Sequence, residues 1–383
     1  MIIDLSVYLV VFAVTVGMAV VLQKTYNIVK VKEWMPKNKV LSGWLFCVFG
    51  CVCFLPIIAM FSLRYGIGTD YYSYEQIYNA LHKAGISEYW TKHNNDVKFF
   101  YVEPVYYLLN RVFPSFRSLQ WGLGILIFAL LCVVIKEYAE RISYPFAVGI
   151  FLCTQFIYAM NGTRFSIAVC ILLIAYKALS KGKPIRFVIL VLCAALFHKS
   201  ALFCLAMILL MQFKNKKLNR VRDIAMIVTL VSFPLISSLL FKFAGNIPFF
   251  ERYFSISQYA ASTSMAGSFK WVLHIVPVLL PLILFCRKEL FSDNETKTMF
   301  RICLMEIPFR MLGLYNTMYT RYSRCSQIIQ VIFIPLILSK IEDKNKRTWL
   351  YIYYSAWFIF YFAYYALVND HGDSLPYVWV FSQ

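Results

Sequence analysis

The sequence predicts an all-α polytopic membrane protein of about 12 helical segments, and three observations predict it. Of the 383 residues, 60% are hydrophobic and 15% charged, a balance that a soluble domain of this size cannot hide from water. The apolar residues gather into runs long enough to cross a bilayer, which takes about 20 residues as a helix. The cations, which leave a formal net charge of +19, concentrate in alternate connections. This composition excludes a disordered chain and a secreted disulfide scaffold, and it makes the basic balance a topological signal rather than a nucleic-acid one.

Taken in order, the apolar runs lie near residues 5–23, 41–61, 119–135, 144–160, 165–180, 223–243, 271–286, 302–318, 325–339 and 349–368. The first has neither a basic leader nor a small-residue cleavage site, so an uncleaved span is expected. Between the runs, "KTYNIVKVKEWMPKNK", "KEYAER", "KGKPIR", "KNKKLNRVR", "CRKELFSDNETKTMFR" and "KIEDKNKR" hold most of the lysines and arginines. The positive-inside rule places these six in the cytoplasm. Connections 62–118 and 244–270, the N-terminus and the C-terminal segment "NDHGDSLPYVWVFSQ" then face outward. The whole chain, 1–383, reads as a single transmembrane domain.

Residues 187–213 are nearly all apolar, yet strongly basic segments flank both ends. One helix cannot begin and end on the same side, so the run is expected to fold back near "FHKS", residues 197–200. Each arm then has about 11 to 14 residues, or about 16 to 21 Å. The result is a re-entrant or short-span hairpin with His198, Lys199 and Ser200 at its tip. In the long 62–118 connection, "YVEPVYYLLNRVF" is aromatic and amphipathic, with Pro104 suited to a helix start, so an interfacial or re-entrant helix opening at Glu103 is expected.

Most of the 11 cysteines lie inside apolar runs, and no CxxC or HExxH spacing occurs. They read as small buried hydrophobes, and no metal or cofactor is expected. Outside the cytoplasmic connections arginine outnumbers lysine. Lysine suffices to set topology, whereas a planar guanidinium grips phosphate oxygens two at a time. Arg64, Arg164, Arg321 and Arg324 all fall at expected outer ends of spans; each can grip phosphate oxygens, snorkel to headgroups or pair with an acid.

Glu306 and Arg310 are four apart inside a span and read as an intramembrane ion pair. His274, alone in its span, reads as a hydrogen-bonded structural group. The outward carboxylates are Asp70, Glu75, Glu88, Asp96, Glu103, Glu251, Asp370 and Asp373. Asp70 and Glu103 stand nearest membrane-embedded aromatic sequence. Either can serve as a general base or, respectively, as a turn residue in "GIGTD" and a helix-start acid. The "GIGTD" stretch is no dinucleotide fingerprint, for it lacks the third glycine. Tyr71, Tyr72, Tyr74 and Tyr106 set phenol rings beside acids, a combination suited to stacking on sugars.

Five motifs in series, "RYGIGTDYYSYEQIY", "EPVYYLLN", "NGTRFSIAVCILLIAY", "LFHKSAL" and "RYSRCSQ", resemble the EpsG family of bacterial exopolysaccharide proteins, which are similar to Wzy-type O-antigen and capsule polymerases. The resemblance runs from about residue 60 to 340. One departure is Phe165, where the family often has glutamine after the span-opening arginine. The resemblance implies a GT-C-like membrane glycosyltransferase of the bacterial cell membrane. Such an enzyme joins oligosaccharide repeat units carried on undecaprenyl pyrophosphate at the outer face, with a chain-length regulator as a further partner.

In that reaction an acceptor hydroxyl attacks the donor's anomeric carbon and a lipid pyrophosphate leaves. Arg64, Arg164, Arg321 and Arg324 are assigned to the leaving group, His198, Glu103 and Asp70 to the base in that order, and the four tyrosines to the sugar. A lipid-linked oligosaccharide flippase and a membrane acyltransferase modifying exported polysaccharide are the rival readings. The absence of a repeat and the gathering of arginines at one depth count against the flippase.

Overall fold

Inside hydrocarbon every backbone donor and acceptor needs a partner within the chain, a condition that helices meet residue by residue. The computed structural model describes residues 2–33, 36, 38–92, 102–138, 140–244, 265–313, 320–367 and 373–382. Among them the chain is helical, with one isolated bridge between Arg64 and Trp379 and no strand. Most of loop 244–270, parts of 62–118 and of the C-terminal segment, Asp96, Glu251, Asp370 and the side chain of His274 lie outside the described residues.

The first half contains α1 (Ile2–Val31), α2 (Lys39–Cys53), α3 (Leu55–Ser62), α4 (Tyr71–His82), α5 (Ile86–Lys92), α6 (Pro104–Val112), α7 (Phe116–Glu137), α8 (Tyr144–Asn161) and α9 (Thr163–Ser180). Local chemistry sets their ends. The Asn38 side chain accepts from the amides of Val40 and Leu41 and so opens α2. Ser115 and Ser118 form a capping box at the start of α7. Pro56, Pro104 and Pro145 stand in the first turns of α3, α6 and α8, where a missing N–H costs nothing.

The second half contains α10 (Pro184–Ala195), a 3-10 helix (Lys199–Leu210), α11 (Lys216–Ala244), α12 (Met265–Phe285), α13 (Arg287–Leu290), α14 (Asn294–Leu304), α15 (Glu306–Gly313), α16 (Thr320–Gln327), α17 (Gln330–Ser339), α18 (Lys344–Leu367) and a last 3-10 turn, Val380–Ser382.

Among the described residues four helices are long and apolar enough to cross a membrane: Leu5–Val31, Phe116–Glu137, Thr163–Ser180 and Arg321–Ser339. A fifth is gained if α2 and α3, bent by 65°, are counted as one span. The count of described spans therefore falls short of the dozen segments read from hydropathy, because several apolar runs are interrupted. Run 41–61 breaks at Phe54, where Pro56 cannot continue the hydrogen-bond ladder. Run 302–318 breaks at Met305, ahead of the charged Glu306. Run 187–213 breaks over residues 196–198, where α10 ends before "HKS" and a 3-10 helix begins.

The described residues form two compact units, one of 1–174, 190–202 and 334–383 and the other of 175–189 and 203–333. In the first, α1 packs on α8, α8 on α18, and both α2 and α3 on α7. In the second, α15 packs on α16, α11 and α12. Asp223 there accepts two guanidinium bonds from Arg301, at 2.8 and 3.2 Å, and pins α11 to α14.

The "GIGTD" loop joins α3 to α4 and shows why glycine stands there. Gly68 has φ of +102°, and a Cβ at that point would lie 3.2 Å from the Met160 carbonyl oxygen. Gly68→Ala is therefore expected to lower thermal stability by about 1–3 kcal/mol, read as a drop in melting temperature of the purified protein, whereas Gly85→Ala in the next turn is expected to leave it within about 0.5 kcal/mol.

Candidate active site

In the first unit, segments far apart in sequence meet at one carboxylate. Glu103 is the residue before α6, yet its side chain makes no cap to its own helix. It is 3% exposed. One carboxylate oxygen accepts from Arg164 Nη1 at 2.8 Å, and the other accepts from the backbone amide of Lys199 at 3.1 Å. The acid of "EPVYY", the arginine of "NGTRF" and the broken turn of "FHKS" are thus held together by two charge-assisted bonds.

Arg164 lies in the first turn of α9, and its side chain keeps 14% exposure. Two aromatic faces flank its guanidinium, Tyr106 at 5.2 Å and Tyr74 at 5.7 Å from the ring centres. These rings are set edge to face, 6.0 Å apart. Burial raises the Tyr106 phenol above its ordinary pKa, so it stays protonated beside the cation. Of the four tyrosines expected at the sugar, Tyr74 and Tyr106 are buried against Arg164, and Tyr71 is buried against Phe116. Tyr72 alone is exposed.

His198 occupies the break between α10 and the 3-10 helix. Its Nδ1 accepts from the Ser200 amide at 3.3 Å, which in the neutral ring leaves the proton on Nε2. The ring of Phe165 meets the imidazole edge-on at 5.1 Å. Phe165 thus sits directly against the histidine.

Asp70 stands before α4 and is partly exposed. Its amide and the Thr69 hydroxyl both donate to the Asn161 side-chain oxygen, at 3.1 and 2.8 Å. Asn161 ends α8, three residues before Arg164, so this bond moors the aspartate loop to the helix junction that carries the arginine.

Arg64 is used differently. It is 2% exposed, and it donates to the carbonyls of Phe61 and, at 3.1 Å, of Met160, at the ends of α3 and α8. Burial lowers its pKa to about 10, which still leaves it charged at neutral pH. The C-terminal segment closes over it. Tyr65 donates its amide to the Val378 carbonyl at 3.0 Å, Val380 donates to Leu63 at 2.9 Å, and the Tyr377 hydroxyl donates to the Met60 carbonyl.

Arg117, half-buried in the first turn of α7, donates to the carbonyls of Ser62 and Arg64 at 2.6 and 2.8 Å, and its other terminal nitrogen lies 3.5 Å from the Tyr71 hydroxyl. Neither Arg117 nor Asn161 stood out in the sequence. Arg117 carries the same signal as the four arginines named there, a guanidinium at the outer end of a span, and Asn161 lies inside the quoted "NGTRF" motif.

The second unit holds the other expected residues. Arg324 is buried and donates to the Gln327 side chain at 2.9 Å, and Arg321 is half-buried one turn before it. The expected ion pair is present: Arg310 Nε donates to Glu306 at 2.7 Å, and Gln330 donates to the other carboxylate oxygen, also at 2.7 Å. Among the described residues no cluster of His, Cys, Asp and Glu suits a metal ion.

The EpsG family model matches residues 47–379, a span that takes in every residue of the Glu103 cluster. No curated protein and no solved structure matches the chain.

Removing one partner of a buried ion pair leaves an uncompensated charge, at a cost of about 3–5 kcal/mol. Arg310→Ala is thus expected to cut the yield of monodisperse protein on size-exclusion chromatography severalfold. Glu306→Gln with Arg310→Met, which removes both charges, is expected to recover most of it.

Proposed function

The chain belongs to the EpsG family, and from that premise we propose that it polymerises an extracellular polysaccharide. It takes the growing oligosaccharide from an undecaprenyl-pyrophosphate donor and transfers it to a hydroxyl of the acceptor repeat unit at the outer face of the bacterial cell membrane. The new glycosidic bond forms at the donor's anomeric carbon as its bond to the pyrophosphate oxygen breaks. The acceptor's proton passes to a base, and the diphosphate leaves with the electron pair. The topology that goes with this reading has both termini outside, a GT-C-like helical architecture and the "FHKS" break turned toward the outer leaflet.

The observation that carries the proposal is the meeting of three family motifs at Glu103. Arg164 receives the pyrophosphate, because it combines a charge held in place by Glu103 with residual exposure at the start of a helix, where the dipole also favours an anion. Glu103 positions Arg164 and the Lys199 amide, since both of its oxygens are committed to them. His198, with Nδ1 engaged, donates through Nε2 to a phosphate or leaving oxygen. Asp70, the partly exposed carboxylate of the cluster's rim, takes the acceptor's proton. Exposed Tyr72 stacks on the sugar. In the second unit, exposure favours Arg321 over Arg324 as an anion contact.

Deletion of the gene followed by analysis of lipid-linked oligosaccharides tests the reading. A single repeat unit accumulating on the outer leaflet supports a polymerase; accumulation on the inner leaflet supports a flippase and overturns the proposal. Within the site, Arg164→Lys keeps Glu103 paired with a cation but removes the planar two-point donor. It is expected to lower polymer yield by at least about tenfold at unchanged protein abundance. Asp70→Asn is expected to do the same, with partial recovery in Asp70→Glu. Full-length polymer at wild-type yield from both Arg164→Lys and Asp70→Asn would remove the residue assignment.

A further inference from the structure

The turn at 196–198 carries a charge that the proposed chemistry does not use. Lys199 gives its amide to Glu103, but its side chain is exposed, and its ammonium meets no carboxylate among the described residues. Lysine in this sequence is mostly a topological residue, gathered in the connections that the charge pattern assigns to the cytoplasm. Lys199 stands instead at the tip of the fold-back, which the proposed topology turns outward, and there the positive-inside rule gives a cation no part.

One carboxylate fixes where this cation can act. Glu103 holds Arg164 Nη1 at 2.8 Å on one oxygen and the Lys199 amide at 3.1 Å on the other, so the guanidinium and the Lys199 backbone lie within about 8 Å of each other. All three residues belong to the first compact unit. The flexible four-carbon stem of a lysine spans most of that distance.

Charge balance gives the ammonium its use. Arg164 and Glu103 cancel, so the pair offers an oxyanion a good donor but no surplus charge. His198 adds none, because an Nδ1 that accepts from the Ser200 amide belongs to a neutral ring. Arg64 and Arg117 are committed to main-chain carbonyls. A diphosphate, with more than one negative charge, needs a further cation beside Arg164, and Lys199 is placed to be it.

We propose that the Lys199 ammonium is the second cation of a diphosphate site whose first is Arg164. The inference rests on the leaving group of the proposed function and deepens that reading by adding a residue to its site. The two side chains divide the work. The guanidinium, held still by Glu103, grips one phosphate through its planar fork, while the ammonium on its flexible stem follows the other as charge builds on the departing oxygen.

The test is anion binding by the purified full-length protein in uncharged detergent, measured as Kd by isothermal titration calorimetry. The probes are inorganic pyrophosphate, inorganic phosphate and phosphatidylglycerol. Wild-type protein is expected to bind pyrophosphate at least about tenfold more tightly than phosphate. Lys199→Gln keeps the amide that Glu103 needs and alters only an exposed side chain. It is expected to weaken pyrophosphate about tenfold while leaving phosphate within about twofold, and Lys199→Arg is expected to recover most of the loss.

Wild-type pyrophosphate affinity in Lys199→Gln overturns the inference, as does a wild-type protein that binds no pyrophosphate. Displacement of pyrophosphate by an equal concentration of phosphatidylglycerol also overturns it, since Lys199 is then a headgroup contact. Because the readout is anion binding, failure of the polymerase reading in the gene-deletion experiment and failure of Lys199 in this one are separate results.

Discussion

The bonds of the Glu103 carboxylate are the constraint on which the first unit's chemistry depends. A buried carboxylate must be answered by donors or not be charged at all. Its two answers here come from chain segments 61 and 96 residues away, the guanidinium of Arg164 and the amide of Lys199. Each donor is itself at a place where the backbone leaves something unfinished. Arg164 opens α9, and the Lys199 amide is among the first of a 3-10 helix, which like any helix leaves its leading N–H groups without internal partners. The acid therefore satisfies the start of the 3-10 helix and ties it to a side chain of α9, and it fixes His198 indirectly by fixing the residue that follows it.

Arginine does two kinds of work in this unit, and sequence position alone does not distinguish them. A helix that ends inside or just beneath a membrane leaves carbonyls with no water to meet them. Arg64 and Arg117 supply that need at α3 and α8, where their forked donors reach two carbonyls each, which an ammonium on a flexible stem does less well. Arg164, in the first turn of α9, pairs instead with the Glu103 carboxylate. The difference between the two kinds is thus whether helix-end carbonyls or a carboxylate answer the guanidinium.

Much of this was legible in the sequence. The helical membrane class follows from composition, the break at "FHKS" from charges flanking both ends of one apolar run, and the helix opening at Glu103 from Pro104 and aromatic periodicity. The Glu306–Arg310 pair follows from i, i+4 spacing. Hydropathy windows did not reveal the bends at Phe54 and Met305, because an apolar run reads the same whether its helix is straight or broken. Nor could a window show that Glu103 would reach past its own helix to Arg164. That bond joins residues on different elements, and nothing local to either residue encodes it. The four arginines assigned to the leaving group share an expected depth, which is a property of topology, whereas their accessibility depends on which carbonyls and carboxylates come near them.

The broken helices explain how an apolar bundle can carry a charged reaction. A continuous span presents side chains only, since its amides and carbonyls are consumed internally. The breaks at the α8 and α9 junction and at 196–198 each return a backbone group to use, the Met160 carbonyl met by Arg64 and the Lys199 amide met by Glu103. The bend that separates α2 from α3 tilts the shorter helix by 65° and leaves an apolar groove beside α7 open below it. The polar cluster is built at other departures from helical regularity, the start of α9 and the turn at 196–198, where Arg164 and the Lys199 amide meet Glu103.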